Sequence, residues 1–327
     1  MSVDRRQFCF TALACGTLLA QPVLAEESYP SKPITVIVSY PPGGDTDAIA
    51  RLFADKLSHR LKQTVLIDNR PGAGGAIGNG MVGRARSDGY TLLFTPNPFT
   101  TAPLVMKLSG AAAYDVLNGY EAIINTATQP LVLVTSPKLG VKNLPELIAR
   151  AKSGATVSYA SPGAGSPMHI AGEWLNKAAG VKLSHVPYRG VGPSVTDVVA
   201  GHVDTAWVTF GPVRPYLDSG KLVALAIGDT RRSSLAPTVP TLTELGYKDV
   251  VVSAWNGFFA PKKTPAAVIN LLNEHLNAIL REPEVVEKLA VFGALPAGGS
   301  PKVLSDLNQR EYMVMGKAIK ELGIVAE

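Results

Sequence analysis

The chain has 327 residues, of which 46% are hydrophobic and 17% are charged, so it is long enough for two globular domains. The formal net charge is +5, and the basic residues are scattered rather than clustered with aromatic residues as they are on nucleic-acid-binding surfaces. We therefore expect no nucleic-acid partner.

Residues 1–25 have the pattern of a signal peptide. Arg5 and Arg6 form the charged start, an apolar stretch covers residues 8–19, and Ala25 ends a small-residue cleavage motif. The apolar stretch is too short to span a bilayer. The pattern predicts export to the periplasm, and the arginine pair leaves both the twin-arginine route and the general secretion route open.

After the signal, short apolar runs alternate with helical periods, and no later segment reaches transmembrane length. Runs rich in Val, Ile and Leu are typical of buried parallel strands. Ser166-Pro167, Thr264-Pro265, Pro283 and Ser300-Pro301 are typical helix starts. The predicted strands cover residues 34–39, 64–67, 91–94, 131–135, 157–160 and 222–227.

This alternation predicts an α/β fold of two lobes, each an open, mostly parallel sheet flanked by helices. Two apolar segments, near residues 129–135 and 250–260, are the predicted crossings between the lobes. The first lobe is then 26–128 plus 254–327, and the second lobe is 129–253. We expect a monomer.

Two glycine-rich turns, each between a predicted strand and a helix, are the strongest functional signals. The first turn covers residues 38–47 and includes Gly43 and Gly44; the second covers residues 161–169. Unpaired N–H groups at a helix start attract anions, and ligands of open α/β sheets bind beyond the carboxyl ends of the strands. The turns therefore predict a small ligand gripped from both lobes.

Individual side chains in the first turn leave alternatives open. Asp47 is either a helix cap or an acceptor for a ligand amine, and the cap is favoured. Asp45 would repel an anion unless it points away from the ligand or binds a cationic group.

Side chains in the second lobe also have alternative predicted roles. Ser166 is predicted to cap the following helix, and His169 is either a ligand contact or a structural residue. Tyr188 and Trp207 lie at strand ends, where they either border the cleft or pack in the core.

Other kinds of site find little support. Cys9 and Cys15 are the only cysteines and both lie in the signal, so the mature chain has neither a disulfide nor a thiolate ligand. The histidines lack metal-ligand spacing, and the glycines of residues 72–78 do not match a dinucleotide fingerprint. We expect no metal and no cofactor. A hydrolase using Ser166 and His169 lacks the nucleophile-elbow motif.

Six ordered segments together resemble the receptors of the tripartite tricarboxylate transporter family, also called Bug receptors. The resemblance covers nearly the whole mature chain. The segments are residues 29–34, 41–44 with 46–47, 69–75, 88–93, 186–190 and 297–301.

The resemblance implies a Venus-flytrap solute-binding protein, not an enzyme, whose ligands are small carboxylates. It implies delivery to a membrane permease, and a ligand sensor for a membrane signalling protein stays an alternative. The sequence departs from the family pattern at Asp45, where a small residue is usual. The ligand-binding residues that it implies are Tyr40, Pro42, Gly43, Gly44, Asp47, Ser161, Gly163, Gly165, Ser166, His169, Tyr188, Trp207 and Thr209.

Overall fold

The computed structural model describes residues 29–324, and the predicted signal peptide lies outside them. Within this range the chain alternates strands and helices. The strands are β1 (Ile34–Val38), β2 (Val65–Asn69), β3 (Thr91–Pro96), β4 (Tyr120–Thr135), β5 (Ser158–Ser161), β6 (Ser184–Pro187), β7 (Thr205–Thr209), β8 (Val223–Ile227), β9 (Ser253–Pro261) and β10 (Leu295–Pro296).

The α-helices begin where the sequence supplies a helix start. Three of the predicted proline starts, at Pro167, Pro283 and Pro301, are confirmed as first helical residues. The helices are α1 (Asp45–Leu61), α2 (Ala76–Gly83), α3 (Pro98–Val105), α4 (Leu144–Lys152), α5 (Pro167–Ala179), α6 (Val191–Ala200), α7 (Phe210–Asp218), α8 (Ala266–Ile279), α9 (Pro283–Val291) and α10 (Pro301–Leu322). No helix within residues 29–324 is long and apolar enough to cross a membrane.

The first lobe is built on β1, β2, β3, β9, β10 and the first half of β4. β1 lies between β2 and β3 and is parallel to both, whereas β9 is antiparallel to β3 and to β4. Val36 and Val38 of β1 face a core shared with α1 and α8, and Ile37 faces a second cluster on the opposite side. Packing on both faces of the sheet explains why three successive residues of β1, Val36 to Val38, are apolar.

The second lobe is built on β5, β6, β7, β8 and the second half of β4. β5 is parallel to β6 and β7, and β4 is antiparallel to β7 and β8. Among the strand pairs within residues 29–324, the parallel ones join β1 to β2 and β3 and join β5 to β6 and β7. The antiparallel pairs arise because β4 leaves the first lobe beside β9, which returns to it, so the sheets are mixed rather than mostly parallel.

The long strand β4 joins the two lobes. It pairs with β9 as far as Pro130, and from Leu131 it pairs with β7 and β8. This change of partners falls inside the predicted crossing at residues 129–135. The lobe boundaries 26–128 plus 254–327 and 129–253 stay a prediction, which this change of partners supports.

The last helix, α10, packs against both lobes. Leu304 near its start belongs to a cluster of the first lobe, whereas Met315 and Ile319 pack in the main core of the second. Lys177 of α5 forms an ion pair of 3.1 Å with Glu321 of α10. The lobes are therefore linked by a helix as well as by strands.

Candidate ligand-binding site

The first glycine-rich turn connects β1 to the start of α1. Gly43 has φ of +86°, a conformation that favours glycine, and its N–H donates to Asp47 Oδ2 at 3.0 Å. Within residues 29–324 the N–H groups of Gly44 and Asp45 have no acceptor. The helix start therefore presents two free donors at its positive end.

Asp47 is occupied by partners inside the first lobe. Besides Gly43 it accepts hydrogen bonds from Arg51 Nε at 3.0 Å and Asn69 Nδ2 at 2.9 Å. Burial alone would raise the pKa of Asp47, but the hydrogen bonds from Arg51, Gly43 and Asn69 hold the pKa below its usual value. Asp47 thus stays charged and fixes the shape of the turn.

The start of α1 lines a cavity of about 260 Å³ between the lobes. Gly211 and Pro212, at the start of α7, form the wall from the second lobe. Phe292, directly after α9, belongs to a third wall. The lining residues are Gly43, Gly44, Asp45, Ala48, Gly211, Pro212, Val291 and Phe292.

Asp45 connects this cavity to both crossing strands. Its Oδ1 accepts from Thr46 N at 2.9 Å, and its Oδ2 accepts from Gln129 Nε2 of β4 at 3.1 Å. Gln129 Oε1 in turn accepts from Asn256 Nδ2 of β9 at 3.1 Å. Burial and the charge of Asp45 both raise the pKa of Tyr40, whose hydroxyl donates to Gly74 O at 3.1 Å.

The second turn connects β5 to α5. The predicted cap is confirmed, because Ser166 Oγ accepts from His169 N at 3.2 Å. Gly165 N donates to Nδ1 of the His169 ring at 2.9 Å, and Ser161 Oγ lies 2.7 Å from His185 Nε2. Gly163 O accepts from Ser161 Oγ at 3.1 Å. Side chains on α5 and β6 therefore hold the turn.

His169 and His185 stack face to face. Their ring centroids lie 3.8 Å apart with an interplanar angle of 7°. Burial lowers the pKa of both rings, and the neighbouring His169 helps to bring the pKa of His185 to about 4. Glu173, which accepts from Tyr159 OH at 2.6 Å, opposes the shift at His169. The stack is thus neutral at neutral pH.

The remaining predicted residues lie around the second turn and α7. Tyr188 N donates to Ser161 O at 2.9 Å, and Tyr188 OH donates to Asp197 Oδ2 at 2.6 Å. Trp207 is fully buried in the second-lobe core. Thr209, directly before α7, is 3% exposed, and its hydroxyl has no hydrogen-bond partner among residues 29–324.

The cavity at the start of α1 is lined by residues of the first turn but by none of the second turn. Gly43 and Gly44 border the cavity between α1 and α7, and Thr209 precedes its second-lobe wall. The second turn instead meets the first lobe at α3, where a Cβ on Gly165 would lie 2.3 Å from Val105 Cγ2. Pro42, within the first turn, is exposed.

Several cavity partners were not predicted from the sequence. Gln129, Gly211 and Phe292 come from three distant parts of the chain, and only folding brings them to the first turn. The glycine at 211 before a proline is the one local signal that could have indicated a close approach. No three His, Cys, Asp or Glu side chains within residues 29–324 are grouped as a metal site requires.

Two α/β lobes, joined by crossing strands and separated by a cavity at a helix start, define a solute-binding protein of the Venus-flytrap class. The sequence model of one protein family, described as "Tripartite tricarboxylate transporter family receptor", matches residues 49–324. The chain belongs to this family, as its sequence motifs predicted.

Named relatives agree with this assignment. BugT of Bordetella pertussis is 38% identical over 308 residues, which cover 93% of each chain. The structure of the periplasmic binding protein BugD is 31% identical with a TM-score of 0.80, covering 91% of this chain and 100% of that one. Rpa4515 of R. palustris, solved with adipate, is 30% identical with a TM-score of 0.83, covering 91% and 99%.

Proposed function

We propose that this receptor works in the periplasm, where it captures a small carboxylate between its lobes and delivers it to a membrane permease. The observation that carries the proposal is the pair of free N–H groups, on Gly44 and Asp45, at the cavity. A helix start with unpaired donors favours a carboxylate. In support, Rpa4515 was solved with adipate and MatC of Rhodopseudomonas palustris with malate.

We propose roles for the residues that the family resemblance implies as ligand contacts. Gly43 and Gly44 contact the ligand directly, and Tyr40 and Pro42 border it. Thr209, whose hydroxyl is buried and unpaired, supports the second-lobe wall at the start of α7. The second turn closes on the ligand from the other side through Gly163, Ser166 and Tyr188, which are partly exposed. The buried residues Ser161, Gly165, His169, Asp47 and Trp207 hold the walls from behind.

Hydrolysis is the less supported alternative. Ser166 contacts His169 through a backbone N–H rather than through the ring. Ser161 does hydrogen-bond the ring of His185, but Ser161 is 0% exposed, and a base with a pKa of about 4 is a poor proton acceptor for a serine hydroxyl. We therefore infer binding without catalysis.

A thermal-shift screen of the mature protein tests the proposal. The panel contains mono-, di- and tricarboxylates, aromatic acids, amino acids and amides. A ligand at one hundred times its Kd adds about 2.7 kcal/mol to the free energy of unfolding, which raises the midpoint by several degrees. A panel in which no acid raises the midpoint would contradict the proposal.

A variant at Gly44 links any hit to the cavity. Gly44 has φ of −83° and its Cβ position is 4.0 Å from the nearest atom, so Gly44→Val fits the backbone. The new side chain occupies space beside the free donors, and we expect at least tenfold weaker binding. Gly192→Val on α6 is the control, because nothing lies within 4 Å of that position either.

A further inference from the structure

The Asp45 carboxylate lines the interlobe cavity without a cationic partner. It is the one ionisable side chain among the cavity residues, and no ion pair joins it to another residue within 29–324. Arg51, the nearby arginine of α1, is bonded to Asp47 and to Asn69 instead. The cavity therefore contains an uncompensated negative charge beside the donors of the helix start.

This carboxylate is held in place rather than free to swing away. Thr46 N occupies Oδ1, and Gln129 Nε2 occupies Oδ2. Gln129 is itself fixed, because Asn256 donates to its oxygen and its amide also donates to Phe292 O at 3.4 Å. An ionised carboxylate has about four acceptor sites, so Asp45 keeps capacity for further donors.

Such a fixed charge discriminates between ligands of different chemistry. A ligand carboxylate at Gly44 N–H would be repelled by Asp45 a few ångströms away, and this repulsion is stronger in a partly desolvated cleft than in water. A protonated amine on the ligand, next to the ligand's own carboxylate, would be attracted by Asp45. The ammonium group supplies three donors to the free acceptor sites.

We propose that Asp45 is a specificity-determining residue that selects acids carrying a protonated amino group next to the carboxylate. The cavity then takes zwitterionic amino acids in preference to the unsubstituted acids of the same length. This inference rests on the proposed function, since it assumes that the acid group binds at the start of α1.

Matched ligand pairs test the selection by isothermal titration calorimetry at pH 7.5. The pairs are succinate with aspartate, glutarate with glutamate, and propionate with alanine. For the pair that binds most tightly, we expect the amino acid to bind at least tenfold more tightly than its partner, a difference of about 1.4 kcal/mol.

The variant Asp45→Asn removes the charge and keeps the size of the side chain. We expect the preference for the amino acid to fall below threefold, because affinity for the amino acid drops and affinity for the unsubstituted acid rises. Asp55→Asn is the control: Asp55 lies on the same helix with its side chain 68% exposed, so this variant removes equal charge away from the cavity.

The outcomes separate this inference from the proposed function. Equal or tighter binding of the unsubstituted acids by the wild type would overturn the role of Asp45 and leave the carboxylate receptor intact. An unchanged preference in Asp45→Asn would do the same. Failure of every acid in the pairs and in the wider screen would overturn the proposed function itself.

Discussion

The stacked histidines give the second turn a dependence on pH. His185 has a pKa of about 4 in the folded chain, against 6.5 for an ordinary histidine, because burial and the neighbouring His169 disfavour its charged form. The unfolded chain therefore binds more protons between pH 6.5 and 4. The stabilising contribution is complete above pH 6.5 and is lost as the pH falls through this window.

His185→Gln should flatten this dependence, since an amide does not titrate here and can still bond Ser161. Between pH 7 and pH 5 we expect wild type to lose about 1 kcal/mol more unfolding free energy than the variant, a value reduced for the partial exposure of the ring. Urea unfolding at both pH values measures this loss. Ser184→Ala, an exposed neighbour, should behave as wild type.

The comparison between variant and parent is necessary because another group titrates with the opposite sign. Burial raises the pKa of Glu311 to about 7, so Glu311 stabilises the fold more as the pH falls. Glu311 accepts hydrogen bonds from Trp255 and Asn97 and is common to both proteins, so its contribution cancels. Equal losses in the two proteins would exclude His185 as the titrating group.

Side-chain contacts between distant residues are the part of the site that could not be predicted from the sequence. The glycines of the first turn and the cap at Ser166 follow from local patterns of neighbouring residues, so they were predictable. The stack of His169 on His185 and the bond from Gln129 to Asp45 join residues far apart in the chain. Local propensity contains no information about such contacts.

At the scale of elements, the start of α5 is both capped by Ser166 and part of the proposed ligand site. Ser166→Ala removes the acceptor for His169 N and should cost about 1 kcal/mol of unfolding free energy. Because α5 begins at the proposed site, we also expect at least fivefold weaker binding of the best acid from the screen. Chemical unfolding and calorimetry measure the two effects separately.

A second capped helix supplies the control. Asn143 Oδ1 accepts from Glu146 N at 2.9 Å at the start of α4, which carries none of the proposed contacts. Asn143→Ala should cost a similar stability and leave binding unchanged. If both variants bind the acid as wild type does, Ser166 is a cap and not a ligand contact.

Element prediction from the sequence worked best where apolar runs are continuous. β1, β2, β3, β5 and β8 lie within two residues of their predicted bounds. The first half of β4 was missed, because the polar residues Asn125, Thr126 and Gln129 interrupt the apolar pattern. They are nevertheless buried, since β4 lies inside the sheet. Thr126 Oγ1 donates to Asn256 O of β9 at 2.9 Å, and Gln129 Oε1 accepts from Asn256 Nδ2 at 3.1 Å.

At the scale of the whole molecule, the lobes touch through two glycines. A Cβ on Gly211 of α7 would lie 2.3 Å from Phe292 O, and a Cβ on Gly293 would lie 2.1 Å from Gly211 N. Backbone from the second lobe thus meets backbone from the first lobe at the rim of the cavity. Neither contact tolerates a side chain without movement.

Gly211→Ala should therefore oppose the approach of the lobes. If closure brings α7 against the turn after α9, the added methyl destabilises the closed state and leaves the open state unaffected. We expect at least tenfold weaker binding of the best acid from the screen, with a nearly unchanged unfolding midpoint of the free protein. Small-angle scattering should show a smaller ligand-induced decrease in the radius of gyration than in wild type.

The control for this prediction is Gly192→Ala. Gly192 also lies in the first turn of a second-lobe helix, and nothing lies within 4 Å of its Cβ position, so any gain in helix propensity is matched without a clash. It should bind and close as wild type does. A large loss of stability in ligand-free Gly211→Ala would instead mean that the two glycines stay in contact in the absence of ligand, and that the lobes open about a different contact.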